Sequence, residues 1–160
     1  LNYPNAYIWQ QKTSGMYTFL FYFHSGLRFV VLLLLLLSII QSLTGWLGNK
    51  PYTESNRKGN MFTMISMHVQ LLVGLALYFV SPLVQFGANT MKQADTRYWT
   101  VEHISMMIIA IALVTIGHSR SKKAATAQAK HKSIAIFYIL AVVVIVAALA
   151  GHRPLLAMSR

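Results

Sequence analysis

Six histidines and no cysteine set the chemistry open to this chain of 160 residues. Without thiols, disulfides, thiolate zinc sites, iron–sulfur clusters and cysteine nucleophiles are excluded. Reactive work falls to His, Met, Tyr, a few carboxylates or a bound cofactor. Four of the histidines, His24, His68, His103 and His118, lie within long apolar runs. An ionisable group at membrane depth costs at least about 2.5 kcal/mol, so it seldom persists without a partner or a task. His131 and His152 sit at or beyond the ends of the last run and read as solvated. The sequence holds no zinc-peptidase His pair on one helical turn, no phosphate-cradling glycine loop and no nucleophile elbow.

The elements that must position these imidazoles are four apolar runs, at about 19–46, 61–82, 99–118 and 133–151. Each approaches or exceeds the roughly 20 residues that cross a hydrocarbon core. Lipid offers backbone groups no hydrogen-bonding partner, so the runs are expected to be α-helices. The fold class expected is all-α, a four-helix transmembrane bundle. Turn residues separate the runs: Gly48-Asn49-Lys50-Pro51, then Gly87-Ala88-Asn89-Thr90, then a connection over Ser119 to Lys132. With no internal repeat or low-complexity linker, residues 16–160 read as one membrane domain. Residues 1–15 read as an N-terminal extension without a motif. The stretch from Arg28 to Thr44 imitates a signal peptide, but the apolar run with its flanks is long for one, and Trp46 follows as an interfacial anchor.

Counting about 1.5 Å per residue from each midpoint gives the depth of each ring. His24 and His103 lie roughly 13 and 9 Å to one side of the midplane, which is agreement within the uncertainty of the boundaries. His68 and His118 lie roughly 6 and 13 Å to the other side, a looser match. On the third helix His103 and His118 are separated by about 22 Å along the axis and about 60° around it. Two sites, one near each face, can share that wall. Neutral imidazole is an axial ligand of haem iron, and facing helices of a bundle are where two imidazoles meet. The expectation is therefore one or two bis-histidine haems, His24 with His103 and His68 with His118. The competing reading is that all four are interfacial or hydrogen-bonded packing residues.

Neighbouring residues carry paired readings. Arg28, four residues after His24, shares nearly the same helical face and is placed to neutralise a haem propionate, to pair with Glu102, or to snorkel. Glu102 adjoins His103 and is a candidate proton acceptor from an imidazole or a quinol, or a partner of Arg28 or Arg97. Arg97 and Arg120 are positioned for propionates or for plain solvation. Gly26, Gly74 and Gly117 suit either a flat ring against the backbone or helix packing. Met61, Met64 and Met67 end beside His68, with Met106 and Met107 on the third run. Such thioethers suit Cu(I), and equally serve as apolar filler.

Composition agrees with a membrane setting. Apolar residues make up 56% of the chain and charged ones 11%, against about 25% charged in a soluble domain. The net charge of +11 would suggest nucleic acid in a soluble protein, but the cations lie mostly between apolar runs, so no nucleic-acid partner is expected. Connections one and three hold Lys50, Arg57, Lys58, Arg120, Lys122, Lys123, Lys130 and Lys132, against Lys12, Lys92, Arg97, Arg153 and Arg160 on the other face. The positive-inside bias then puts both termini on the outer, periplasmic face. Tyr17, Tyr22, Trp46, Tyr52, Tyr98 and Trp99 fall near run ends, as an aromatic belt does.

Several segments together resemble a family. They are Met16-Tyr17, Phe23-His24-Ser25-Gly26-Leu27-Arg28-Phe29, His68-Val69-Gln70-Leu71-Leu72, Tyr78-Phe79-Val80-Ser81-Pro82 with Gln85-Phe86-Gly87, Val101-Glu102-His103 and Gly117-His118-Ser119. The chain from Met16 to about Gly151 resembles small four-span membrane proteins of Bacteroidota labelled cytochrome b. The resemblance implies a b-type cytochrome or an associated respiratory subunit of the bacterial inner membrane. Unlike the large cytochromes b, this chain has four runs, and only one of them carries two membrane-depth histidines.

The function expected is electron transfer through haem b, with a quinol (or bound quinone) or partner membrane subunits exchanging the electrons. Such a protein need not be an enzyme alone, because the haem supplies the redox chemistry. The alternatives are a cofactor-free accessory or scaffold subunit of a larger membrane complex, and a Cu(I)-handling membrane protein.

Overall fold

The computed structural model describes the backbone from Pro4 to Ala150 and side chains from Gly15 to Ala150. His152, Arg153, Arg160 and the side chain of Lys12 lie outside the described residues. All regular structure within them is helical. Helix α1 spans Pro4–Leu47, α2 Glu54–Val80, a short α3 Ala94–Arg97, α4 His103–Lys123 and α5 Ala127–Ala150. A π-helical turn, Tyr98–Glu102, joins α3 to α4, so Ala94–Lys123 acts as one rod. Among the described residues four helices are long and apolar enough to cross a membrane, which makes this a multi-pass membrane protein by length and composition.

The helices run longer than the apolar runs at their polar ends. Helix α2 starts at Glu54, not near Met61, because Thr53 caps it: Asn56 N–H donates to the Thr53 hydroxyl, and the Thr53 N–H donates to Asn56 Oδ1 at 2.8 Å. The expected connection over Ser119 to Lys132 shrinks to residues 124–126. Its flanks are rich in Lys, Arg, Ala and Gln, good helix formers that propagate α4 and α5 into the polar zone. Thr126 then caps α5 by accepting the Ala129 N–H at 3.2 Å. The cations assigned to connections one and three, Lys50 excepted, therefore sit on helical end turns.

In cross-section the order is α1, α2, α4, α5, with α5 packed on both α1 and α4, and α2 against α4 the loosest neighbouring pair. Helix α5 supplies the largest share of the core: Ile134, Ala135, Tyr138 and Ala141 are fully buried, in a cluster with Leu35 of α1 and Val114 of α4. The opposite face of α1, with Val30, Leu33, Leu37 and Ile40 exposed, is apolar, as a lipid-facing surface must be.

The two ends of the bundle differ. At the end holding Lys50, Arg57 and Lys122 the interior is polar and closed. Ser38 donates to the Thr63 hydroxyl at 2.8 Å, and Thr63 donates to the Gly59 carbonyl at 3.1 Å. Tyr138 donates to the Asn60 carbonyl at 3.0 Å, and Asn60 donates to the Tyr52 hydroxyl at 3.1 Å. His131, expected to be solvated, is 1% exposed. Its ring meets Tyr52 edge-on at 4.9 Å and rests against Gly45, where any Cβ would collide with it. The reason is tertiary: α5 begins four residues before His131, so the ring enters the bundle where α1 carries no side chain.

Candidate functional site: an imidazole pair in a membrane cavity

The other end of the bundle holds an open space between α1, α2 and α4. The cavity, its open mouth included, has an empty volume of about 1290 Å³ and is lined mainly by apolar side chains. Its polar lining includes His24, Arg28, Gln70 and His103. The segment after α2 closes over one side: Ser81, Leu83 and Val84 line the cavity. Thr100 pins that segment and the end of α2, since its hydroxyl receives the Gln85 N–H at 3.1 Å and its carbonyl receives the hydroxyl of Tyr78, in the last turn of α2, at 2.8 Å.

Across this space the rings of His24 and His103 stand with centroids 6.4 Å apart and planes inclined at 73°. The two side chains reach each other from α1 and the first residue of α4. Gln70 of α2 holds the α1 side: its amide nitrogen donates to the His24 carbonyl at 3.0 Å and lies 3.4 Å from His24 Nε2. An amide N–H can only donate, so Nε2 is the acceptor and Nδ1 carries the hydrogen. That Nδ1 is buried without a partner. Gly74 makes the position possible, because a Cβ there would lie 2.9 Å from His24 Cε1.

Arg28 lines the same cavity, and its Nε is buried without a hydrogen-bond partner. Glu102 does not neutralise it. The Glu102 carboxylate takes the Arg97 Nε–H at 2.6 Å, and no carboxylate lines the cavity among the described residues. A guanidinium at membrane depth facing a space without an acid favours an anionic occupant.

The second expected pair is not assembled. His68 Nδ1 donates to the Met64 carbonyl at 2.9 Å, and its Nε2 lies 3.4 Å from the Thr115 hydroxyl. Among the described residues no ring contact joins His68 to His118. Thr115 stands one helical turn before His118 and takes the place expected for it; the loose match in depth did not bring a match in facing. The remaining candidates have other partners. Arg120 lies over the Phe137 ring at 5.7 Å and Gly117 is packed on Phe137, whereas Gly26 faces open space. Met67 is buried in the core, with Met64 and Met107 packed against it. No cluster of three or more His, Asp or Glu able to hold a bare metal ion occurs among the described residues.

Two residues of the site were not singled out from the sequence. Gln70 stood only inside a segment that carries the resemblance, one turn from Gly74, and was given no role of its own. Tyr98, read as part of an interfacial belt, is 4% exposed, and its ring centroid lies 5.7 Å from that of His103. Comparison of the chain with family models, with curated proteins and with solved structures finds no match to any of them.

Proposed function

We propose that this chain is a b-type-cytochrome-like electron carrier in which one haem b is held between His24 and His103. The observation that carries this reading is the spacing of the two rings. A metal bonded at about 2.0 Å to an imidazole nitrogen lies about 3.2 Å from the ring centroid, so two imidazoles that hold one metal between them stand up to about 6.3 Å apart. The centroids here are 6.4 Å apart. The second support is electrostatic: Arg28 faces the cavity without a carboxylate beside it, and haem carries acidic side arms. The third is the cradle at Gly74, which leaves room for the His24 ring.

His24 and His103 would hold the haem iron, and Arg28 would partner a haem carboxylate. Bound haem supplies one-electron redox chemistry, with its potential set by axial ligands, burial and nearby hydrogen bonds. Gln70 holds the His24 carbonyl whether or not it also donates to Nε2, so freeing that nitrogen leaves the amide its stronger bond, at 3.0 Å against 3.4 Å. The apolar lining excludes water, and the Thr100-anchored segment covers one side.

The orientation proposed follows the basic end turns: Lys50, Arg57, Arg120 and Lys130 in the cytoplasm, the haem in the periplasmic half, and both termini outside, in a bacterial inner membrane. Electrons would pass to or from a quinol or a partner membrane subunit. The chain's segments that resemble small cytochrome b-like proteins of Bacteroidota agree with this placement. The test is the visible spectrum of protein purified after haem-replete expression. A reducible spectrum that disappears in His24→Leu and in His103→Leu supports the reading. Colourless protein that copurifies with a larger membrane complex supports the scaffold alternative.

A further inference from the structure

The π turn places next to His103 a residue that an α-helix would point elsewhere. Residues five apart on an α-helix face about 140° away from each other. Here the His103 N–H closes on the Tyr98 carbonyl, the i to i+5 bond of a π turn, and the two side chains come together. The Tyr98 ring lies 5.7 Å and the Trp99 ring 5.6 Å from that of His103. The imidazole is therefore held by aromatic side chains of its own turn.

The Tyr98 hydroxyl donates its one proton to the Ala148 carbonyl of α5 at 2.9 Å. It also lies 3.4 Å from His103 Nδ1. With the hydroxyl proton committed to Ala148, the Tyr98 oxygen meets His103 as an acceptor, so the imidazole must donate from Nδ1. A neutral imidazole with hydrogen on Nδ1 has its lone pair on Nε2, and His103 lines the cavity.

We infer that Tyr98 is a positioning residue that fixes His103 as the Nδ1–H tautomer and leaves Nε2 as the nitrogen free to bind a metal centre. The link to a metal rests on the haem reading above; the tautomer does not. The arrangement ties ligand geometry to the packing of α5, because the same hydroxyl anchors both. Outer partners of this kind orient a ligating imidazole and raise its basicity, and their loss typically lowers metal affinity about 10–100-fold.

The experiment uses the full chain labelled with ¹⁵N-histidine, purified without haem and placed in lipid nanodiscs, with His103 identified by the signal lost in His103→Gln. The unaltered protein is expected to show His103 protonated on Nδ1 and bare on Nε2. Tyr98→Phe is expected to transfer a measurable population to the Nε2–H form and to lower haem retention about tenfold or more. Hydrogen on Nε2 in the unaltered protein overturns the inference without recourse to a variant. An unchanged tautomer in a folded Tyr98→Phe protein overturns it as well. A chain that shows the tautomer shift yet takes up no haem upholds the role of Tyr98 and removes the haem reading instead.

Discussion

The two ends of this bundle use membrane-depth polar residues in opposite ways. At the basic end, Asn60, Thr63, His131 and Tyr138 are at most 1% exposed, enclosed by side chains from α1, α2 and α5. At the cavity end, His24, Gln70 and His103 are only half-buried and border open space. Both ends use a glycine to seat an imidazole: Gly45 for His131 and Gly74 for His24. A histidine inside a membrane bundle is thus not by itself a sign of a ligand. The distinguishing feature is what surrounds the ring, packed neighbours in one case and a cavity with a second imidazole in the other.

Substitutions that break this contrast have a definite order of size. The largest effect expected is on ligand binding at the cavity end: His103→Leu abolishes haem uptake, read by the visible spectrum, while thermal unfolding stays near that of the unaltered protein. Tyr138→Ala does the reverse. Removing a fully buried aromatic ring and its bond to the Asn60 carbonyl destabilises the fold by about 3–5 kcal/mol, read by unfolding in detergent. The paired glycines sharpen the contrast. Gly45→Ala forces the His131 ring aside at a cost of about 1–3 kcal/mol. Gly74→Ala displaces His24 and is read as haem loss, about tenfold in affinity, with little change in stability. Near the bottom of the scale, His68→Leu leaves pigment per chain unaltered, because His68 is engaged with Met64 and Thr115. A halved haem content in that variant would restore the two-haem expectation. Smallest of all is Arg57→Ala, which opens a solvent-exposed pair with Glu54 and leaves the unfolding midpoint in detergent where it was, because water and salt screen such a pair.

Much of the architecture was legible from hydropathy, because membrane helices must be long and apolar over their whole span. The agreement in depth of His24 and His103 was legible from a rise of 1.5 Å per residue. Rotation about the helix axis was not legible in the same way. It decides that His68 meets Thr115 and not His118, and it depends on how α2 and α4 pack. His131 was misread because its burial comes from a tertiary accident of shape, a glycine on α1 opposite a histidine on α5. Tyr98 was misread because a π turn shifts the facing of every residue before it, and no residue in Tyr98–Glu102 announces that turn. Helix ends ran past the apolar runs wherever Thr caps and Lys- or Ala-rich turns could carry them into the polar zone.

The most direct test of the central claim is a haem-to-protein ratio with a reduced-minus-oxidised spectrum, taken on the unaltered chain and on His24→Leu, His103→Leu and His68→Leu together. A single low-spin b haem per chain, absent from the first two variants and retained in the third, is the predicted result. Full pigment in His24→Leu and His103→Leu, or a colourless unaltered chain after haem-replete expression, contradicts the assignment.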